Sequence, residues 1–197
     1  MTKIILASGS PRRRELLEVM GLEFEVIVSD ADESSVSEDV PVELYVQELA
    51  LLKAAATAKS VIRRRSALII SADTIVTLDG EILGKPKDEQ DAFNMLKRLS
   101  GRTHDVYTGY CVMRMRDGKT VCDRVRTEVT FKSLSDEKIW SYIKSGEPMD
   151  KAGSYGIQGK GSVLVGDISG DYFNVVGLPV SALSDTLENE FDVKILQ

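Results

Sequence analysis

Histidine occurs once and cysteine twice in 197 residues. One imidazole and no Cys–His spacing argue against a zinc site, so any metal would be a hard cation held by carboxylates. No apolar run approaches the ~20 residues of a membrane span. The short apolar run near the N-terminus leads into arginines, unlike a signal peptide, and a cytoplasmic protein is the expectation. Positive charge is in deficit, with 25 Lys and Arg against 31 Asp and Glu for a net −6. That balance argues against a general nucleic-acid binder, whose affinity comes from neutralising phosphates. Pro- or Ser-rich linkers, repeats and low-complexity tracts are missing, so one domain over residues 1–197 is expected. The two cysteines, Cys111 and Cys122, flank Asp117-Gly118. A two-residue hairpin there sets Cys122 opposite Met113 and diagonal to Cys111, as reduced packing residues in a cytosolic chain.

What is present begins with Ile4-Ile5-Leu6-Ala7-Ser8-Gly9-Ser10-Pro11-Arg12-Arg13-Arg14. An apolar strand ends at a small-residue turn and a helix starts at once, with Ser10 as N-cap and Pro11 as first helical residue. Cations at a helix N-terminus oppose the macrodipole. Free N–H groups and guanidinium forks there suit a bound phosphate. A solvated basic turn is the alternative, and this stretch alone leaves both open. Arg63 to Arg65 follow a helix without glycine and read as a solvated face.

Along the chain, Gly21 ends the first helix and Phe24 to Val28 alternate as a strand. Asp30, Asp32 and Glu33 then crowd a loop that is either solvated or a cation ligand set. Pro41 opens a helix to about Ser60 with an apolar stripe of Val42, Tyr45, Leu49, Leu52 and Ala56. At ~100° per residue Lys53 falls inside that stripe, so its ammonium snorkels over the core edge or points into a cleft. Ala67 to Ala72 reads as a buried central strand, ending at Asp73-Thr74, where α/β proteins place catalytic groups; capping a turn is the alternative for Asp73. A hairpin through Asp79-Gly80 follows. Pro86 then holds Lys85 in extended backbone.

Asp88 to Ser100 forms an amphipathic helix with Gly101 beyond its end, and His104 to Lys132 is β-rich. Ser135 starts a helix that carries Trp140 as a packing residue and stops at Ser145-Gly146. Seven of the fifteen glycines lie between Gly153 and Gly177, a density that implies positive φ or close approach to a ligand. The spacing around Gly159-Lys160-Gly161 is not that of a Walker A loop. Leu178-Pro179 starts a last helix.

Six segments, in order, carry a resemblance: Leu6 to Arg13, Ser71 to Val76, Leu83-Gly84-Lys85-Pro86, Gly101 to Gly109, Ala152 to Gly159, and Asn174 to Pro179. Together they resemble the Maf family of nucleoside triphosphate pyrophosphatases over nearly the whole chain. The resemblance implies an α/β fold around a long, bent, mixed sheet flanked by helices, two lobes around a cleft, related to inosine-triphosphate pyrophosphatases. It also implies a homodimer and a divalent metal, Mg²⁺ or Mn²⁺. Arg12, Thr74 and Gln158 match the branch that hydrolyses dTTP and UTP. A branch preferring 7-methyl-GTP carries Trp, Gln and Glu at those positions. A Gln amide can donate to O4 of uracil or thymine and accept from N3–H, which a carboxylate cannot do.

For the site, the resemblance implies attack of water on the α-phosphorus, with Asp73 as general base. Arg12 and Arg13 hold phosphate, with Ser8 and Ser10 as added donors. Lys53 and Lys85 converge on the triphosphate, and Glu33 binds metal with Asp73 shared. No position expected to be catalytic departs from the family pattern. A non-catalytic nucleotide-binding regulator of cell division is the rival reading.

Overall fold

The computed structural model describes residues 3–196. Seven strands form one mixed sheet in the order β2-β1-β3-β5-β6-β7, with β4 paired to β3. The residues gather into two compact units. The first holds the chain to Asp73, Thr108–Val125 and the chain from Gly177; the second holds Thr74–Tyr107 and Arg126–Val176.

In the first unit, β1 (Lys3–Leu6) lies between β2 (Phe24–Val26) and β3 (Ala67–Leu78), parallel to both. Parallel neighbours need crossovers, supplied by α1 (Pro11–Val19) and α2 (Val42–Ser60). Ile4 to Ala7 and Ala67 to Ile70 are buried, the continuous apolar pattern of strands covered on both faces. The strand expected through Val28 stops at Val26, although the Ile27 N–H still donates to the Leu6 carbonyl.

Helix α2 buries Tyr45, Val46, Leu49, Ala50, Ala54 and Thr57. Of the expected stripe, Tyr45 and Leu49 are buried, while Val42, Leu52 and Ala56 are half-buried flanks. The shift follows from small residues. Ala50 and Ala54 pack with Ile5, Ala7, Ile69 and Cys111 in one cluster, letting the helix sit close to the sheet. At Gly109 a Cβ would collide with the Val46 carbonyl, so only glycine admits that approach.

β5 (Thr103–Arg114) and β6 (Thr120–Phe131) form the long hairpin. Gly118 has φ +72 but Asp117 is not left-handed, and a type I′ two-residue turn needs both. The Arg114 N–H instead donates to the Lys119 carbonyl and the Gly118 N–H to Arg114, leaving Met115 to Gly118 as a four-residue loop. Asp117 holds it by accepting from the Arg114 guanidinium and the Lys119 N–H. That register corrects the cysteine expectation. Cys122 stands opposite Cys111, sulfurs 2.7 Å apart, both thiols free. Helix α6 (Val180–Phe191) also belongs to this unit.

In the second unit, β3 turns through Asp79 (φ 54) and Gly80 (φ 81) into β4 (Glu81–Leu83) as expected. Helices α3 (Glu89–Leu99), α4 (Asp136–Ile143) and α5 (Tyr172–Val176) follow in chain order. Asp88 and Ser135 cap the first two by accepting from the Asp91 and Lys138 N–H groups. Strand β7 (Val165–Ser169), hidden in the glycine-rich stretch, runs antiparallel to β6. Trp140 stacks on Phe93 at 4.8 Å and packs against the core. Arg63 to Arg65 are exposed, with Arg64 paired to Glu25, the solvated face expected of them.

The sole histidine is a core residue. His104 is buried against Phe131 and Tyr155, its Nε2 2.8 Å from the Tyr155 hydroxyl. Burial pulls its pKa down from 6.5 to about 4. The unfolded chain therefore binds a proton between those values that the folded chain does not. Stability falls as the pH drops from about 6.5 toward 4 and levels below that, a total of about 3 kcal/mol from this residue. Urea unfolding across that range measures the slope, and His104→Phe is expected to flatten it.

Candidate active site

In β3 side chains alternate, so Ile69, Ser71 and Asp73 share a face. The expected end of the strand before Asp73 is not found. β3 runs unbroken to Leu78, with Asp73 and Thr74 as its two half-buried positions. The buried Ser71 hydroxyl donates to the Ala50 carbonyl of α2 at 2.6 Å. Val46, Ala50 and Lys53 recur at i, i+4 and i+7 on one helix face. Gly109 admits the first, Ser71 ties the second, and the third therefore lands on Asp73.

Lys53 Nζ is 2.5 Å from Asp73 Oδ1 and 3.1 Å from Glu33 Oε1. Its side chain is 13% exposed, which resolves the two readings left open for it: the ammonium turns inward to carboxylates. Glu33 reaches it from a 3₁₀ turn, Glu33–Ser35, whose entry Asp32 caps by accepting from the Ser34 N–H. Asp32 is thereby spent on its own loop. Asp73 Oδ2 accepts no hydrogen bond among the described residues. Tyr45 lies buried on the same helix, its hydroxyl pKa raised first by burial, then by Glu38, Asp73 and Glu33.

The α1 N-terminus supplies the basic half. Arg13 Nε donates to the Gly177 carbonyl at 2.8 Å and Nη1 to the Ser8 hydroxyl at 3.2 Å. Ser8 is buried and also accepts from the Ser10 N–H. Burial lowers the Arg13 pKa, opposed by Asp73 and Glu33 and reinforced by Arg12, so Arg13 lies in the field of all three charges. Ser10 occupies the N-cap with extended backbone, but its hydroxyl does not cap the helix, and no acidic side chain occupies the first turn. Arg14 is exposed and pairs with Glu18, outside the cluster.

Thr74, Lys85 and Gln158 fall in the second unit. Lys85 is exposed on the loop after β4, beside a buried Pro86. The Gly153 N–H donates to the Gly84 carbonyl, so the lysine loop and the glycine-rich loop are tied together. Gly153 and Ser154 adopt φ +67 and +60, and a Cβ on Gly153 would press on Val76. Gln158 is half-buried and leads into a 3₁₀ turn, Gly159–Val163. Two polar groups escaped sequence reasoning: Ser71 and the Gly177 carbonyl, each signalled only by its place in a motif segment.

Glu33 and Asp73 suit a hard divalent cation. Each turns one oxygen to the Lys53 ammonium, and a small hard cation is usually held by one or two carboxylates with phosphate oxygens and water, so their other oxygens are the ones that would hold it. Among the described residues no group of three His, Cys, Asp or Glu side chains could hold a metal by itself. No helix among them is long and apolar enough to cross a membrane.

The model of the Maf-like protein family matches residues 3–190. A dTTP/UTP pyrophosphatase of Thermoanaerobacter sp. (strain X514) is 54% identical over 194 residues, 98% of this chain and all of the relative. Proteins of the same name from Caldanaerobacter subterraneus subsp. tengcongensis and Bacillus cereus (strain ZK / E33L) are 53% and 51% identical, covering 98% and 99% of this chain and 91% and 98% of theirs. Among solved structures, a HAM1 protein from Coxiella burnetii superposes with a TM-score of 0.51 at 18% identity, covering 96% of this chain and all of that one. The Staphylococcus aureus Ham1 protein gives 0.50 at 18%, over 83% and 79%. These two share the fold. By the extent of the family match and the identity to its relatives, the chain belongs to the Maf-like protein family.

Proposed function

We propose that this chain hydrolyses dTTP and UTP to the monophosphate and pyrophosphate, the activity its relatives are named for. The observation that carries the reading is Lys53 bridging Asp73 and Glu33 on the face set by Ser71. A carboxylate whose second oxygen is open, beside an ammonium and within the field of Arg13, suits water attack at a phosphorus.

In this reading water adds to the α-phosphorus and the bond to the bridging oxygen of the β-phosphate breaks. Asp73 takes the proton of the attacking water through Oδ2. Pyrophosphate leaves with the bridging oxygen and its electron pair. Charge grows on the leaving group, and Lys53, Arg13 and Arg12 offset it, with Lys85 and the Ser8 and Ser10 groups adding donors. Arg13 is held at two nitrogens before substrate arrives, so little side-chain entropy is lost on binding. Glu33 and Asp73 would hold a divalent cation, Mg²⁺ or Mn²⁺, which would neutralise phosphate charge. Gln158 reads the base by donating to O4 and accepting from N3–H, with Arg12 and Thr74 as the other selecting positions. β3, β5 and β6 each run from one unit into the other, which supports a single working domain. A homodimer and a cytoplasmic setting complete the proposal.

Asp73→Asn is expected to lower pyrophosphate release from dTTP by at least about 10²-fold while nucleotide still binds; near-wild-type turnover removes Asp73 from the chemistry. Wild-type protein that binds dTTP without releasing pyrophosphate would favour a sensor over an enzyme. Gln158→Glu is expected to cut kcat/KM for UTP by about 10- to 100-fold, well beyond its effect on GTP, because an acceptor then faces O4 where a donor stood. Equal losses for UTP and GTP would show that Gln158 does not read the base. EDTA is expected to silence turnover, with Mg²⁺ restoring it, and activity that persists in EDTA would remove the metal from the reading.

A further inference from the structure

Glu147 is a half-buried carboxylate in the second unit. Glu147 follows α4, where Gly146 with φ +74 stops the helix and a 3₁₀ turn, Glu147–Asp150, begins. Its side chain does not face solvent alone. Oε1 accepts from the Gly161 N–H at 3.0 Å and from the Tyr142 hydroxyl at 3.0 Å, and Oε2 accepts from the Lys160 N–H at 2.9 Å. The Tyr142 oxygen in turn accepts from the Gly156 N–H at 3.1 Å. Lys151 closes the group by donating to the Glu147 backbone carbonyl at 2.6 Å.

These bonds bracket one residue. Gly156 lies two positions before Gln158 and Lys160 two positions after it, and both backbone N–H groups end on the Tyr142–Glu147 pair. The glycines permit the wrap. A Cβ on Gly159 would come within 2.9 Å of Glu147 Oε2, and one on Gly161 within 2.8 Å of the Tyr142 hydroxyl. Burial opposes ionisation of Glu147, yet the Gly161 and Lys160 N–H groups, the Tyr142 hydroxyl and Lys151 outweigh it and lower its pKa. The group is therefore a carboxylate at neutral pH, an acceptor for three donors at once. No neutral amide can match that.

We propose that Glu147 is a positioning residue for base recognition: with Tyr142 it fixes the backbone on both sides of Gln158 and so sets the preference for uracil and thymine. This rests on the reading of Gln158 given above. A loop held only at its ends would let the amide swing, and the discrimination between O4 with N3–H and a purine edge would blur. Glu147 touches neither phosphate nor water in this account. Its loss should appear in selectivity rather than in the chemical step.

The experiment measures steady-state kcat and KM for UTP and GTP in wild type, Glu147→Gln, Gln158→Ala and the double variant. Glu147→Gln keeps the shape but puts an NH₂ where one acceptor stood. It is expected to lower the UTP-to-GTP ratio of kcat/KM about tenfold, mainly through the KM for UTP. If Glu147 acts through Gln158, the double variant will match Gln158→Ala alone, because coupled residues are not additive. Amide hydrogen exchange at Gly156, Lys160 and Gly161 should also quicken in Glu147→Gln. A Glu147→Gln variant that slows UTP and GTP equally, or a double variant whose losses add, overturns the proposal while leaving the reading of Gln158 intact. If Gln158→Ala itself leaves the ratio unchanged, the reading fails and this inference fails with it. Tyr142→Phe severs Gly156 from the pair yet spares both N–H bonds of Glu147. It is expected to give a smaller fall in the same ratio, and it keeps the test decisive should Glu147→Gln fold poorly.

Discussion

A lysine ammonium turned inward from a helix that is otherwise packing sets the terms for this molecule. A charge taken from water must be met by partners of opposite sign, and breaking such a pair leaves one group buried and uncompensated. Lys53 meets that demand with Asp73 and Glu33, so a strand, a helix and an acidic loop are bound to one point. The rest of the first unit serves that geometry. Ala50 and Ala54 bring α2 down, Gly109 lets the Val46 carbonyl approach, and Ser71 locks the register of helix against strand. Arg13 then adds positive charge where the carboxylates can offset it. The result is a preorganised field, the feature on which phosphoryl chemistry depends most.

Much of this was legible from residue order, because it follows from period and local chemistry. Lys53 falls in an apolar stripe by the helical repeat alone, and Asp73 interrupts an apolar run. The serine-proline-arginine turn announces a helix start with the wrong charge for its dipole. The turn at Asp79-Gly80 was readable for the same reason, since its two residues tolerate positive φ and their flanks alternate. Where local signals decide, sequence reasoning reached the structure.

Where side-chain hydrogen bonds and packing decide, it did not. Asp117-Gly118 has the same dipeptide as Asp79-Gly80, yet Asp117 is engaged by Arg114 and Lys119, and the loop widens to move Cys122 opposite Cys111. The buried face of α2 shifted because small residues, not large ones, approach the sheet. β3 was read as stopping at Asp73 because a charge interrupts the pattern, but the strand carries that charge through its middle. Ser10 sits where a cap should be and leaves capping undone, its N–H taken by Ser8. Glu147 gave no local sign at all, since its partners lie 5 to 14 residues away on the glycine-rich loop and α4.

The bond from Arg13 to the Gly177 carbonyl spans 164 positions. On a ribosome that distance is time. A chain emerging N-terminus first presents its arginine turn 164 residues ahead of the carbonyl that orients the guanidinium. At ~5–20 residues per second the two ends are separated by roughly ten to thirty seconds of synthesis. The guanidinium is thus held at both nitrogens only once residue 177 has been made, and a product ended before it would carry the arginine without that hold.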